Sequence, residues 1–116
     1  MNRPNEITEH FILELEKHLQ ALKDGKAEST FEIGDIASLL YIHPVHLSNT
    51  IKQVLGKSPC DMYEEKLMEI AKEMILTTTV PIAEIARRLT FDPSNFSKFF
   101  KHFEGITPKQ FRDAHQ

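Results

Sequence analysis

The chain repeats itself. Sliding its 116 residues by 49 positions lays IASLLYIHPVHLSNTIKQVLGKSP (36–59) over IARRLTFDPSNFSKFFKHFEGITP (85–108) without a gap. Ile36/Ile85, Ala37/Ala86, Leu40/Leu89, Pro44/Pro93, Ser48/Ser97, Lys52/Lys101, Gly56/Gly105 and Pro59/Pro108 are identical. Apolar residues exchange at Ile42/Phe91, Leu47/Phe96, Ile51/Phe100 and Val54/Phe103, which predicts core positions there too. The differences gather at Val45/Ser94, His46/Asn95 and Asn49/Lys98, where side chains are expected to face outward. A repeat of this period means two copies of one supersecondary unit. Each copy reads as a short helix, a turn of three or four residues, and a second helix with small or polar residues at its start. That is the helix-turn-helix pattern, and Ala37 and Ala86 fall where the two helices of a unit would cross. A single such stretch is most often a hairpin that only packs. Two in register argue for DNA, because the polar start of the second helix is the part that enters a major groove.

Apolar residues recur at steps of three and four throughout, and no strand is evident. Ile7, Phe11, Leu15, Leu19 and Leu22 predict a helix over 5–23, ended by Asp24-Gly25-Lys26. Ser29-Thr30-Phe31 leads into a second over 32–40, with Ile33, Ile36, Ala37 and Leu40 inward. Pro44 opens a third over 44–55 and Gly56 stops it. Ser58-Pro59 starts a fourth over 59–76, with a stripe of Leu67, Ile70, Ala71, Met74 and Ile75. Beyond Thr77, Thr78 and Thr79, Pro81 restarts the chain into a fifth helix carrying Ile82, Ile85, Ala86 and Leu89. Asp92-Pro93 opens a sixth over 93–103, and Gly105 ends it. Thr107 and Gln110 form a capping box for a seventh. The expected fold is all-α: seven helices forming two helix-turn-helix subdomains joined by a long linker helix. Residues 1–57 would hold an N-terminal helix and the first subdomain, 58–78 the linker, and 79–116 the second subdomain. A linker over 59–76 would span roughly 27 Å at ~1.5 Å per residue. That approaches the ~34 Å between successive major-groove segments on one face of a duplex, so modest bending of the DNA toward the protein would serve both second helices.

Charge taken whole argues the other way. There are 14 Lys+Arg against 17 Asp+Glu, a net −3, which suits neither nucleic acid nor a membrane surface. The distribution is uneven. Residues 1–43 hold four basic and eight acidic side chains, 44–79 four and five, and 80–116 six and four. The last third is therefore cationic, and the total is a poor guide. A composition of 41% hydrophobic and 27% charged residues, with 4 Gly and 6 Pro, excludes collagen-like and disordered chains. No apolar run reaches the ~18 residues of a membrane span, and MNRPNEITEH has no apolar signal core. With the single Cys60 unable to form an internal disulfide, a cytoplasmic location is expected.

The second unit carries a longer signature. Pro81-Ile82-Ala83-Glu84-Ile85-Ala86, Phe91, Asp92-Pro93-Ser94-Asn95-Phe96-Ser97-Lys98, Phe100-Lys101, Gly105, Thr107-Pro108 and Phe111-Arg112 resemble the DNA-binding domain of the AraC/XylS family of bacterial transcription regulators. The resemblance covers about residues 30–113. It implies double-stranded DNA as the partner, no cofactor, and recognition helices at about 44–55 and 93–103. By family habit it also implies an activator, with RNA polymerase a second candidate partner. Carried over by position, it makes Val45, Ser48 and Asn49 base-facing in the first recognition helix, and Ser94, Asn95 and Lys98 in the second. The chemistry fits in part: Asn pairs with adenine edges, Lys with guanine acceptors, and Val with a thymine methyl. Lys52 and Lys101, one turn further on, suit phosphates, as do backbone N–H groups at the helix starts near Ser58 and Thr107. The family usually has Gly where this chain has Tyr41 and Thr90. If those turns require a positive φ, Thr90 in particular should cost about 1 kcal/mol or more.

Other candidates have plainer readings. His43 and His46 lack a third metal ligand, so no metal site is expected; His43 suits a helix cap and His46 a surface or DNA-adjacent position. Cys60, with no His or second Cys nearby, is expected to be a buried or half-buried thiol without catalytic work. Phe96, Phe99, Phe100 and Phe103 read as core, with Phe99 off the main face. Ser48 and Ser97 have no base in reach, so an enzyme has no support. Glu64, Glu65, Glu69 and Glu73 read as a solvated face. The acidic first helix is either a solvated cap or a contact for polymerase, a dimer partner or a sensor domain. The rival reading is a helical protein-interaction module derived from such a regulator, with little DNA affinity. It is suggested by the acidic balance and the Arg-free first recognition helix.

Overall fold

The computed structural model describes residues 3–27 and 32–116. Among them every regular element is helical: α1 (Arg3–Lys23), α2 (Ile33–Leu39), α3 (Pro44–Leu55), α4 (Pro59–Thr77), α5 (Ile82–Arg88), α6 (Pro93–Glu104) and α7 (Pro108–Ala114). The expected Ser29-Thr30-Phe31 entry to α2 lies outside the described residues. The chain divides into two units, and the boundaries fall inside helices rather than at their ends. The first unit takes α1 as far as Gln20, with α2, α3 and α4 as far as Glu65; the second takes α1 from Ala21 onward and Lys66–Gln116.

The first unit buries Ile7, Phe11, Leu15 and Leu19 of α1, Ile36 and Ala37 of α2, and Leu47 and Ile51 of α3. Among its described residues, the buried polar side chains satisfy themselves within a helix. Thr8 donates to the Pro4 carbonyl at 2.8 Å, and Thr50 to that of His46 at 2.8 Å. His18 and Tyr63 meet with ring centroids 5.7 Å apart, and burial holds the His18 imidazole below its ordinary pKa.

The second unit is built on phenylalanine. Phe96, Phe100 and Phe111 are buried beside Ile85, Ala86 and Leu89. The Phe100 and Phe111 rings meet edge-on at 5.4 Å, and Phe91 stacks on Phe99 at 5.0 Å. Edge and offset contacts of this kind add to simple area burial. Lys72 of α4 pairs with Glu104 of α6 at 2.6 Å.

The two helix-turn-helix turns are the same turn. After α2, the Ile42 N–H donates to the Ala37 carbonyl at 3.0 Å and the Tyr41 N–H to that of Ser38 at 3.2 Å. After α5, the Phe91 N–H donates to Ala86 at 2.8 Å and the Thr90 N–H to Arg87 at 2.9 Å. This is the Schellman pattern, which satisfies a helix's last carbonyls by placing one residue in the left-handed region. That residue is Tyr41 (φ 58°) in one unit and Thr90 (φ 67°) in the other. The expected positive φ is therefore present at both, and each non-glycine residue costs about 1 kcal/mol or more. Ala37 and Ala86 are both fully buried, where α2 packs on α3 and α5 on α6.

Three placements differ from the sequence expectation. Val54 and Phe103, matched as core, are 37% and 43% exposed. They sit in the last turns of α3 and α6, each 12 residues long, whereas α2 and α5 have only 7. At ~1.5 Å per residue the first helix of a unit is roughly 8 Å shorter than the second, so the far turn outruns its cover. Leu55 is exposed for the same reason. Cys60 is exposed rather than buried. Its neighbour Pro59 is buried and takes the inward position of α4's first turn, and one residue further on rotates a side chain by ~100°.

Candidate nucleic-acid interface

Each second helix of a unit has a dry face and a wet one. On α3, Leu47, Thr50 and Ile51 are buried. Counting ~100° per residue, Val45, Ser48, Asn49 and Lys52 form a stripe on the opposite side. Val45, Asn49 and Lys52 are exposed and Ser48 half-buried. On α6, Phe96 and Phe100 are buried, and Ser94, Lys98 and Lys101 make the corresponding exposed stripe. Asn95 is exposed as well, but ~100° around from Ser94 it borders the stripe rather than lying in it. The repeat thus brings Ser94, Lys98 and Lys101 together on one face, as it does Val45, Ser48, Asn49 and Lys52.

The starts of these helices are fixed by their caps. His43 accepts the Val45 N–H on Nδ1 at 3.1 Å, the capping role expected for it. Asp92 Oδ2 accepts from the N–H groups of Ser94 at 3.0 Å and Asn95 at 3.4 Å. Proline follows each cap at the first helical position, where its missing N–H costs nothing. Gly56 and Gly105 end the same helices at φ 78° and 87°, conformations that a Cβ would strain.

Ion pairing distinguishes the lysines of the outward stripes from those on and near α4. Lys57, Lys66 and Lys72 are matched by Glu65 at 2.8 Å, Glu69 at 3.6 Å and Glu104 at 2.6 Å. Among the described residues, Lys52, Lys98 and Lys101 have no such partner. The cations on the outward stripes, like Lys109 of α7, are therefore open to an external anion, while those on α4 and just before it each have an acid beside them. Arg87 and Arg88 share Glu84, at 3.6 and 3.9 Å.

Ser58 and Thr107 act first as caps. Ser58 Oγ accepts the Asp61 N–H at 3.1 Å. Thr107 accepts from Gln110 N–H at 3.1 Å, while the Thr107 N–H donates to Gln110 Oε1 at 2.9 Å, closing the expected capping box. Sequence reasoning gave Arg112 no role. Its guanidinium donates to three carbonyls around the end of α4: Ile75 at 3.1 Å, Val80 at 2.7 Å and Thr78 at 3.3 Å. The only sequence signal was its place in the Phe111-Arg112 pair; its acceptors are 32 to 37 residues away.

Twin helix-turn-helix units with polar, partly cationic outer stripes define a class of nucleic-acid-binding module. The family described as "Helix-turn-helix domain" matches residues 36–114. The arabinose operon regulatory protein of Escherichia coli K12 is 35% identical over 94 residues, 80% of this chain and 32% of that protein. The C-terminal domain of AraT, a response regulator from Geobacillus stearothermophilus, is 35% identical with a TM-score of 0.72, over 86% of this chain and 84% of that one. The DNA-binding domain of AdpA, solved with a target DNA, shares the fold at a TM-score of 0.75 and 18% identity, over 94% and 91% of the two chains.

The chain belongs to the AraC/XylS family of helix-turn-helix domains and is a DNA-binding module of the transcription-regulator kind. It spans about a third of the length of the arabinose operon regulatory proteins it matches. No described helix is long and apolar enough to cross a membrane.

Proposed function

We propose that this chain reads specific sequences in double-stranded DNA by placing α3 and α6 in successive major-groove segments. Val45, Ser48 and Asn49 face bases from α3, and Ser94 and Lys98 from α6, with Asn95 reaching bases from the edge of that stripe. Lys52 and Lys101 hold phosphates. The N–H groups of Cys60 and Lys109, left over by the caps at Ser58 and Thr107, add two weaker phosphate contacts. Asn49 is suited to an adenine edge and Lys98 to guanine O6 and N7. The observation that carries this reading is the pairing pattern: among the described residues the lysines on the two outward stripes have no acid paired with them, whereas those on and near α4 do. A stripe with one lysine per helix, or two, makes few phosphate contacts, so affinity should be modest and strongly salt-dependent.

The module works in the cytoplasm as part of an activator, with no catalytic chemistry of its own. The acidic outer face of α1 is available to RNA polymerase. Selection of binding sites from random duplexes, followed by footprinting, tests the reading. The expected result is two protected major-groove patches about one helical turn apart. Absence of duplex binding at any salt concentration would instead favour a helical protein-interaction module.

A further inference from the structure

Tyr41 is the most exposed large hydrophobic residue described, at 95%, and its backbone lies in the left-handed region at φ 58°. The two facts together are unusual. A non-glycine residue is held in a strained conformation only where the surroundings or a function demand it. The Schellman turn demands the backbone conformation, but it does not demand a tyrosine; glycine would adopt it freely. Thr90, at the matching place in the second unit, shows what a residue with a local use looks like. It is half-buried, and its hydroxyl donates to the Leu89 carbonyl at 2.6 Å. The Tyr41 side chain has neither packing nor a hydrogen bond among the described residues.

Its place in the chain points to a use. Tyr41 stands two residues before the His43 cap and three before Pro44, the first residue of α3. Three Cα steps of ~3.8 Å keep it within ~11 Å of that helix start. The side chains around the same end, His43 and His46, are exposed, as is Val45. Tyrosine hydroxyls are regular donors to the nucleic-acid backbone. We propose that Tyr41 is a DNA-contact residue whose phenolic hydroxyl donates to a phosphate oxygen on the strand bordering the groove that α3 enters. This inference rests on the DNA-reading function proposed above. The competing occupant is another protein: Leu39 and Val45 are also exposed and would extend an apolar patch.

The test uses this chain, a duplex carrying its selected site, and fluorescence anisotropy across a salt series. Tyr41→Phe removes only the hydroxyl. Binding should weaken roughly threefold to tenfold on selected and unrelated duplexes alike. The salt slope should not change, because an uncharged donor displaces no counterion of its own. Tyr41→Gly should bind at least as weakly as Tyr41→Phe while melting no lower than the parent, so that lost affinity is not lost folding. Parent-like binding by both variants overturns the inference. So does a loss confined to Tyr41→Gly, or an effect seen only in self-association. Asn49→Ala is measured in parallel. If it loses affinity for the selected site while the Tyr41 variants do not, only the Tyr41 assignment fails. If the parent chain binds no duplex, the DNA reading fails and takes this inference with it.

Discussion

Arg112→Ala is expected to destabilise the second unit by about 2–4 kcal/mol. The last carbonyls of a helix have no intrahelical donor, and α4 ends at Thr77. Met74 is served by the N–H and hydroxyl of Thr78. Ile75 is served by Arg112 Nε at 3.1 Å, and the same guanidinium reaches Val80 at 2.7 Å and Thr78 at 3.3 Å. A hydrogen bond to a charged group contributes about 1.5–3 kcal/mol, but the three do not count equally. The bonds to Ile75 and Val80 are part-buried, whereas that to Thr78 is exposed, and water replaces it at little cost. Because both are only part-buried, they count about 1–2 kcal/mol each, at or just below the low end of that range, and together give the stated figure.

Lysine, with one compact ammonium in place of a planar fork, cannot reach three acceptors at once. Arg112→Lys should therefore recover less than half of the loss. Urea denaturation followed by circular dichroism reads the effect. With a slope of about 2 kcal/mol per molar, mid-range for a small protein, the Arg112→Ala midpoint should fall by about 1–2 M. A loss below about 0.5 kcal/mol, or full rescue by lysine, would refute the claim that the fork ties the end of α4 to α7.

Four further outcomes are expected. Asn49→Ala and Lys98→Ala should each cost about 1–3 kcal/mol on the selected site and relax preference at single base pairs, read by repeating the selection with each variant. Lys101→Ala should weaken all duplexes alike and reduce the salt slope by about 1; an unchanged slope would remove Lys101 from the phosphate contacts. Asp92→Ala should cost about 1 kcal/mol of stability, because two N–H groups at the start of α6 lose their acceptor. His18 is held below its ordinary value of 6.5 by burial, so the folded state disfavours its charged form. Stability should be intact above that value and fall as pH drops through the lower, folded one. His18→Gln should flatten that acid limb in urea midpoints measured from pH 7.5 to 5.

The helices were legible because their signals are local. Proline at first positions, Ser, Thr, Asp or His at caps, glycine at stops and apolar steps of three and four act over a few residues, and every expected helix appears within about two residues of its place. The repeat made the outer stripes legible too, since core positions matched and outward ones did not. It also exposed the two turns where Tyr41 and Thr90 occupy a glycine-like conformation. The same matching failed at Val54 and Phe103, because apolar character says nothing about how far the covering helix extends. It failed at Cys60, where a single step along α4 turns the side chain out to solvent.

Pairing across distance was beyond any local rule. Nothing near Arg112 in the chain announces carbonyls more than 30 residues away, and nothing near Lys72 announces Glu104. Lys66 has its acid three residues on, a local pair, but Glu104 lies three residues after Lys101 and only the folded structure gives it to Lys72 instead. The amino-acid order alone determined the helices, their ends and the doubled plan. The tertiary structure decided which polar groups are already spent on the protein and which remain for a ligand, because charge and hydrogen-bond partners act through distance, not through sequence separation.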